Sequence, residues 1–124
     1  MDISKLVLTI ESAAEGSEYL DYSIQRFFGL MKPVPAYTRS VDAAMLLIPD
    51  GWSVHRLTRR NDCRGNFTGW MVDLYRAADV VLDLPTLSMA ATAPLALCAS
   101  ALRILAAQQS AGSPDLRYDT AKLA

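Results

Sequence analysis

Apolar side chains recur through the first third of the chain at the spacing of amphipathic helices. Ile3, Leu6, Val7, Ile10 and Ala14 form one stripe, and Leu20, Ile24, Phe27 and Phe28 form a second. Gly16 marks the end of the first helix. Ser17 supplies a cap for the second, because its hydroxyl accepts a hydrogen bond from an N–H that the first turn leaves free. Gly29 stops that helix. Pro33 and Pro35 then hold an extended connector, since proline donates no hydrogen bond and biases the residue before it away from helix. A short third helix is predicted over residues 40–48, with Val41, Ala44, Met45 and Ile48 inward, closed by the turn-forming run Pro49-Asp50-Gly51.

At Trp52 the period changes from that of a helix to that of a strand. Residues 52–59 read as a strand with Trp52 and Val54 on one face and Ser53 and His55 on the other. Residues 60–65 read as a polar hairpin loop. Residues 67–75 return as a second strand that buries Trp70, Val72 and Leu74, and residues 80–84 are a third candidate, ended by Pro85. A last helix is predicted over residues 92–109. Pro94 falls in its first turn, where a missing N–H costs nothing. Leu95, Cys98, Ala99, Leu102 and Leu105 line its core face, and it is apolar on most of its circumference, which predicts burial. The order of elements predicts an α+β domain over residues 1–109, a three-stranded antiparallel sheet covered by about four helices, with residues 110–124 as a mobile C-terminal tail. The predicted core is Leu6, Ile10, Leu20, Ile24, Phe27, Val41, Ile48, Trp52, Val54, Trp70, Val72, Leu74, Leu95, Cys98 and Leu102.

A chain of 124 residues, about half of them apolar, buries a core without metal or disulfide staples. Its net charge of −1 argues against whole-chain attraction to nucleic acid. The charge is uneven, however. Residues 1–50 are acidic, whereas residues 51–76 hold Arg56, Arg59, Arg60, Arg64 and Arg76 against Asp62 and Asp73. Cys63 in a polar loop and Cys98 on an apolar helix face read as two reduced thiols of a cytosolic protein. The longest apolar run falls far short of the ~20 residues that span a bilayer. Asp2 and Glu11 flank the N-terminal apolar positions, unlike a signal peptide. The expectation is a cytoplasmic protein without membrane contact.

The search for chemistry returns little. His55 is the sole histidine, and with Cys63 it makes two ligands where a structural zinc site takes four, so no metal is predicted and no cofactor. His55 and Asp73 face each other across the predicted strands as a base and its orienter, against the simpler reading of an exposed strand histidine. Gly65 and Gly69 lack the lysine and helix of a phosphate loop. No spacing singles out a carboxylate pair. A non-enzymatic protein is therefore expected. The sharpest surface feature is Arg56, Arg59, Arg60 and Arg64, with Phe67 at the rim, read as a partner-binding hairpin because guanidinium forks grip phosphate and carboxylate. The plainer reading is a solvated tip, or one paired with Glu18 and Asp21.

Three runs carry a resemblance. They are Glu15-Gly16-Ser17-Glu18-Tyr19-Leu20-Asp21; Tyr37-Thr38-Arg39-Ser40-Val41-Asp42-Ala43-Ala44 leading to Ile48-Pro49-Asp50-Gly51-Trp52; and Pro94-Leu95-Ala96-Leu97-Cys98-Ala99-Ser100-Ala101-Leu102-Arg103. In this order and spacing the chain resembles the phage ABA-sandwich domain, a family of small phage and prophage proteins. It departs at Thr92-Ala93-Pro94, where that family has Thr-Pro directly. The resemblance implies a phage or prophage origin, a bacterial host cytoplasm and an α/β/α layering. It transfers no catalytic residue, because the family's function is not established. A small domain of that origin fits a stoichiometric inhibitor of a host protein or ribonucleoprotein complex, such as an anti-CRISPR or other anti-defence factor. The residues leave two alternatives open. One is a phage structural or assembly accessory that forms a homo-oligomer. The other is a small module that binds nucleotide or nucleic acid through the basic hairpin.

Overall fold

Every helix among the described residues begins on a side-chain oxygen. In the computed structural model, which describes residues 2–29, 33–76 and 87–111, Asp2 accepts from the Lys5 N–H at 3.0 Å and starts α1 (Ile3–Ser12). Ser17 accepts from Leu20 at 3.2 Å and starts α2 (Glu18–Phe27), and Ser40 accepts from Ala43 at 3.3 Å and starts α3 (Val41–Met45). Thr92 does the same for Leu95 at 3.4 Å ahead of α4 (Ala93–Ala111). Such caps satisfy donors that a helix's first turn leaves open. Between α3 and α4 lie β1 (Trp52–Asn61), β2 (Phe67–Arg76) and β3 (Ser88–Ala90), a three-stranded antiparallel sheet in the order β1-β2-β3. The fold is α+β with four helices, as the pattern predicts.

α4 is the centre. It packs on β2 and β3 on one side and on α1 and α3 on the other, and residues 95–102 are all sealed from solvent. The apolar stripes of α1 and α2 bury Ile3, Leu6, Val7, Ile10, Leu20 and Ile24, while Val72, Leu74 and Ala90 line the sheet's inner face. No helix among the described residues is long and apolar enough to cross a membrane.

Several sequence expectations are corrected. The strand predicted over residues 80–84 lies outside the described residues, and the strand beside β2 is Ser88–Ala90. α4 continues through Ala111, two residues beyond its predicted end, and the rest of the predicted tail lies outside the described residues. Arg60 belongs to β1 and not to the hairpin loop. Phe27, Ile48, Val54 and Trp70 are only partly buried at the edge of the core, and Val41 (39 % exposed) is outside it, as is Met45. α3 changes its period after one turn. After Ala43 the backbone bonds run to the third residue back, Leu46 to Ala43, Leu47 to Ala44 and Ile48 to Met45. At three residues per turn Ala44 and Leu47 share the buried face, which a regular α-helical reading misses.

Gly16 does not end α1, which stops at Ser12 with Ala13 as its C-cap. Its lack of a side chain serves a close approach: a Cβ there would fall onto the Thr38 carbonyl oxygen. Thr38 is one member of a buried polar clamp. Its N–H donates to Asp21 Oδ1 at 2.7 Å and its hydroxyl donates to the same oxygen, while accepting from the Ser17 N–H at 3.0 Å. The other carboxylate oxygen of Asp21 accepts from Arg39 Nε at 2.8 Å. One turn on, Gln25 accepts from the Tyr37 hydroxyl and donates to the Pro33 carbonyl at 2.9 Å. Cys98, on α4, donates its thiol to the Tyr37 carbonyl at 3.1 Å. Burial, with the charge of Asp21 adding to it, pushes the Cys98 thiol well above its usual range. Burial, then Cys98 and Asp21, pushes the Tyr37 phenol up to about 12. Both groups are therefore neutral hydrogen-bond donors at every physiological pH.

Two predictions follow from this packing. Leu102→Ala, in the sealed centre, is expected to lower stability by ~2–5 kcal/mol, whereas Val41→Ala stays within ~0.5 kcal/mol; denaturant midpoints at unchanged slope measure both. Gly16→Ala is expected to cost at least ~1–3 kcal/mol, the range for forced overpacking, since the atom it meets is backbone. A melting temperature equal to wild type for Gly16→Ala would mean that the Thr38 turn can move aside.

Candidate functional site

The hairpin that carries the arginines is longer than the rest of the sheet. β3 pairs only with Trp70, Met71 and Val72, so beyond Trp70 the sheet is a two-stranded arm. Residues 55–68 are exposed without interruption. Two irregularities shape the arm. Val54 pairs with Leu74 and Arg56 with Asp73, which leaves His55 as an extra residue in β1; Arg60 pairs with Gly69 and Asn61 with Phe67, which leaves Thr68 extra in β2. An extra residue switches which face the next side chains take. Ahead of His55 the inward positions are Trp52 and Val54; beyond it they are Leu57, opposite Val72, and Arg59, opposite Trp70. Arg56, Thr58 and Arg60 take the outer face, opposite Asp73, Met71 and Gly69.

The four arginines consequently do not form one patch. Arg56 lies 3.6 Å from Asp73 across the outer face. Arg60 reaches over Gly69, which has no side chain to block it, to the sulfur of Met89 on β3. Gly69 has a second duty, since a Cβ there would lie 2.7 Å from the Ala90 carbonyl oxygen. On the inner face the Arg59 guanidinium sits 4.7 Å above the Phe67 ring, and that ring meets Trp70 edge-on at 6.5 Å. Phe67 is 45 % exposed. Arg64 is in the turn. Among the described residues none of Arg59, Arg60 and Arg64 has an ion-pair partner.

The turn holds itself. Asp62 Oδ1 accepts from the N–H groups of Arg64 (2.8 Å) and Asn66 (2.9 Å), Oδ2 accepts from the Asn66 amide at 3.3 Å, and the Asp62 N–H donates to the Asn66 carbonyl at 2.8 Å. Gly65 takes the left-handed conformation (φ +82°) that such a turn requires. Asp62 is thus held by the backbone, and at the tip Arg59, Arg60 and Arg64 outnumber it. Cys63 is free and exposed there, and Cys98 is free and buried.

The other sequence candidates are pulled apart. His55 packs its ring edge-on against Tyr75 at 5.5 Å while Asp73 faces Arg56, so no base and orienter form. Asp21, read as a surface acid able to pair with the hairpin, is 1 % exposed and held by Thr38 and Arg39. Glu11 is taken by Arg103, which grips it at 2.7 and 2.8 Å and also donates to Ser88 at 2.9 Å, tying α1, α4 and β3 together. The signal for that bridge in the sequence is that Arg103 is the one charged residue of α4. A depression of about 280 Å³ between α1 and α2 is lined by Leu6, Tyr19, Tyr22, Ser23, Arg26 and Phe27, with no group of three potential metal ligands among the described residues.

Asp62 yields a pH prediction. Hydrogen bonds from the Asn66 and then the Arg64 backbone hold its carboxyl below the usual carboxylate range. Its contribution to the turn is present above the unfolded value, about 3.9, and is lost as pH falls through the lower folded value. Amide protection at Arg64 and Asn66 is expected to hold at pH ~5 and to drop below ~3.9, as read by exchange NMR. Loss of protection already at pH ~5 would overturn the role given to Asp62. Compared with family models, curated proteins and solved structures, the chain matches none.

Proposed function

We propose that this chain is a non-enzymatic phage or prophage protein that binds a host protein or ribonucleoprotein complex through the β1–β2 arm, and that it inhibits a defence complex such as a CRISPR effector. One observation supports the reading above the others: residues 55–68 stand exposed on both faces, with three arginines that have no acid partner among the described residues and an aromatic ring beside one of them. A solvated tip has no need of Phe67 and Leu57 at the surface (45 % and 38 % exposed), and arginine and aromatic side chains are those that most often dominate binding energy. The core makes no demand on the arm, so its side chains can be chosen for a partner.

The test is parallel affinity capture from a bacterial lysate with wild type and the double variant Arg59→Glu/Arg60→Glu. Wild type is expected to retain a protein or ribonucleoprotein complex at physiological salt that the variant loses, with melting temperatures within about 5 °C of each other. A complex recovered equally by both would place the contact elsewhere, with the exposed Tyr19 and Tyr22 of α2 the next surface to vary.

A further inference from the structure

The long side chains of the arm all lean the same way. Arg56 goes to Asp73, Arg59 to Phe67 and Arg60 to Met89, each crossing onto β2 or β3. None of them folds back over the other flank of β1. β1 is an edge strand, and its outer backbone edge has no strand beside it among the described residues. Edge strands are usually blunted by charged side chains, proline or a bulge, because their open N–H and C=O groups template a further strand. Here the bulge lies at His55, at one end, and residues 56–60 beyond it keep an unbroken register and are exposed, up to the second irregularity between Arg60 and Asn61. At ~3.4 Å per residue that is about 17 Å of open ladder.

We propose that this edge takes an extended acidic protein segment as a fourth strand. Charge selects the occupant. A second copy pairing antiparallel about Thr58 would set Arg56 opposite Arg60, and like charges directly opposite are destabilising. A strand with carboxylates on the outer face lies one strand away from Arg56 and Arg60, whose exposed side chains can swing to it from Asp73 and Met89, and on the inner face an apolar residue meets Leu57 beside Arg59. Main-chain hydrogen bonds supply affinity in this mode and alternate side chains supply specificity. Duplex or single-stranded nucleic acid would use the same guanidinium groups without the ladder.

This inference rests on the arm being the contact surface, and it is tested with a defined probe: a peptide of about seven residues alternating glutamate and valine, long enough to cover the edge at ~3.4 Å per residue. Two further peptides carry N-methyl groups on alternate residues, in one phase or the other. Fluorescence polarisation on the full chain is expected to show that one phase weakens binding by at least about tenfold while the other does not, because only alternate N–H groups face β1. Exchange NMR is expected to show new protection at alternate amides within residues 56–60. Equal binding by both N-methyl phases would overturn strand addition, as would a DNA oligonucleotide that outcompetes the peptide. A dimeric mass for the free chain with those amides already protected would overturn it in favour of a second copy. If the peptides fail while Arg59→Glu/Arg60→Glu still abolishes capture of the cellular partner, strand addition falls and the arm reading stands. If capture is indifferent to charge reversal, the arm reading itself falls.

Discussion

A helix that is apolar on every side has to be enclosed, and that constraint organises this chain. α4 offers no polar face to water along residues 95–102. A single covering layer would leave half of it wet, at a cost set by the ~25 cal/mol per Å² of apolar surface left exposed. The sheet covers one side and α1 with α3 the other. Small residues make this possible. Ala96, Ala99 and Ala101 are fully buried and let neighbouring elements approach closely. The one charged side chain of α4, Arg103, sits at the seam where α1, α4 and β3 meet, and its charge is matched there by Glu11.

Enclosing α4 from the second side requires the chain to return from α2 through a proline-bearing connector. Such a segment has no helix or strand ladder of its own to satisfy its backbone. The Asp21 clamp does this work. Its carboxylate takes the Thr38 amide and hydroxyl and the Arg39 guanidinium, Gln25 takes the Tyr37 phenol, and the Cys98 thiol closes onto the Tyr37 carbonyl. A half-satisfied network of this kind would be worse than an apolar one, because low dielectric raises the cost of every unpaired group. This explains why motif residues that look chemically suggestive (an aspartate, a tyrosine, a cysteine) sit together without forming a reactive centre. Burial keeps both the thiol and the phenol protonated.

What the sequence made legible follows from which periods it keeps. The stripe of α1 is regular and buries Ile3, Leu6, Val7 and Ile10 as its spacing indicates; Leu20 and Ile24 of α2 and Leu95, Cys98, Ala99 and Leu102 of α4 are likewise buried, while Phe27, Phe28 and Leu105 stay at the edge and Asp21 and Gln25 go inside. α3 is too short to hold a period. Its chain tightens to three residues per turn after one helical turn, which carries Leu47 onto the buried face of Ala44 where an α-helical period places Met45 and Ile48. On the sheet, alternation predicted Trp52, Val54, Val72 and Leu74 correctly as inward. It could not register the extra residue at His55, because a bulge leaves no mark in a pattern of polar side chains. The candidate site depends on that residue. A regular strand would carry Arg56 and Arg60 on the face of Trp52, and the bulge puts them on the opposite one. A glycine after a helical stripe predicts a helix stop, whereas Gly16 admits the Thr38 backbone, a contact far away in the sequence.

The bulge also separates two regimes of constraint along one strand. Before it, Trp52 and Val54 answer to the core, and a change there is felt by α4. After it, the pairing with β2 persists but the burial does not. Because the Asp62 turn supplies its own hydrogen bonds, the arm keeps its register without help from the core. A rigid, locally stabilised hairpin whose side chains are released from packing loses little conformational entropy when it meets a partner, since its backbone is already ordered. Its guanidinium groups, resting on Asp73, Phe67 and Met89, are held over the sheet rather than over its open edge. The arm therefore combines an ordered backbone edge with positive charge on both faces, two properties that a solvated loop of the same composition would not have together.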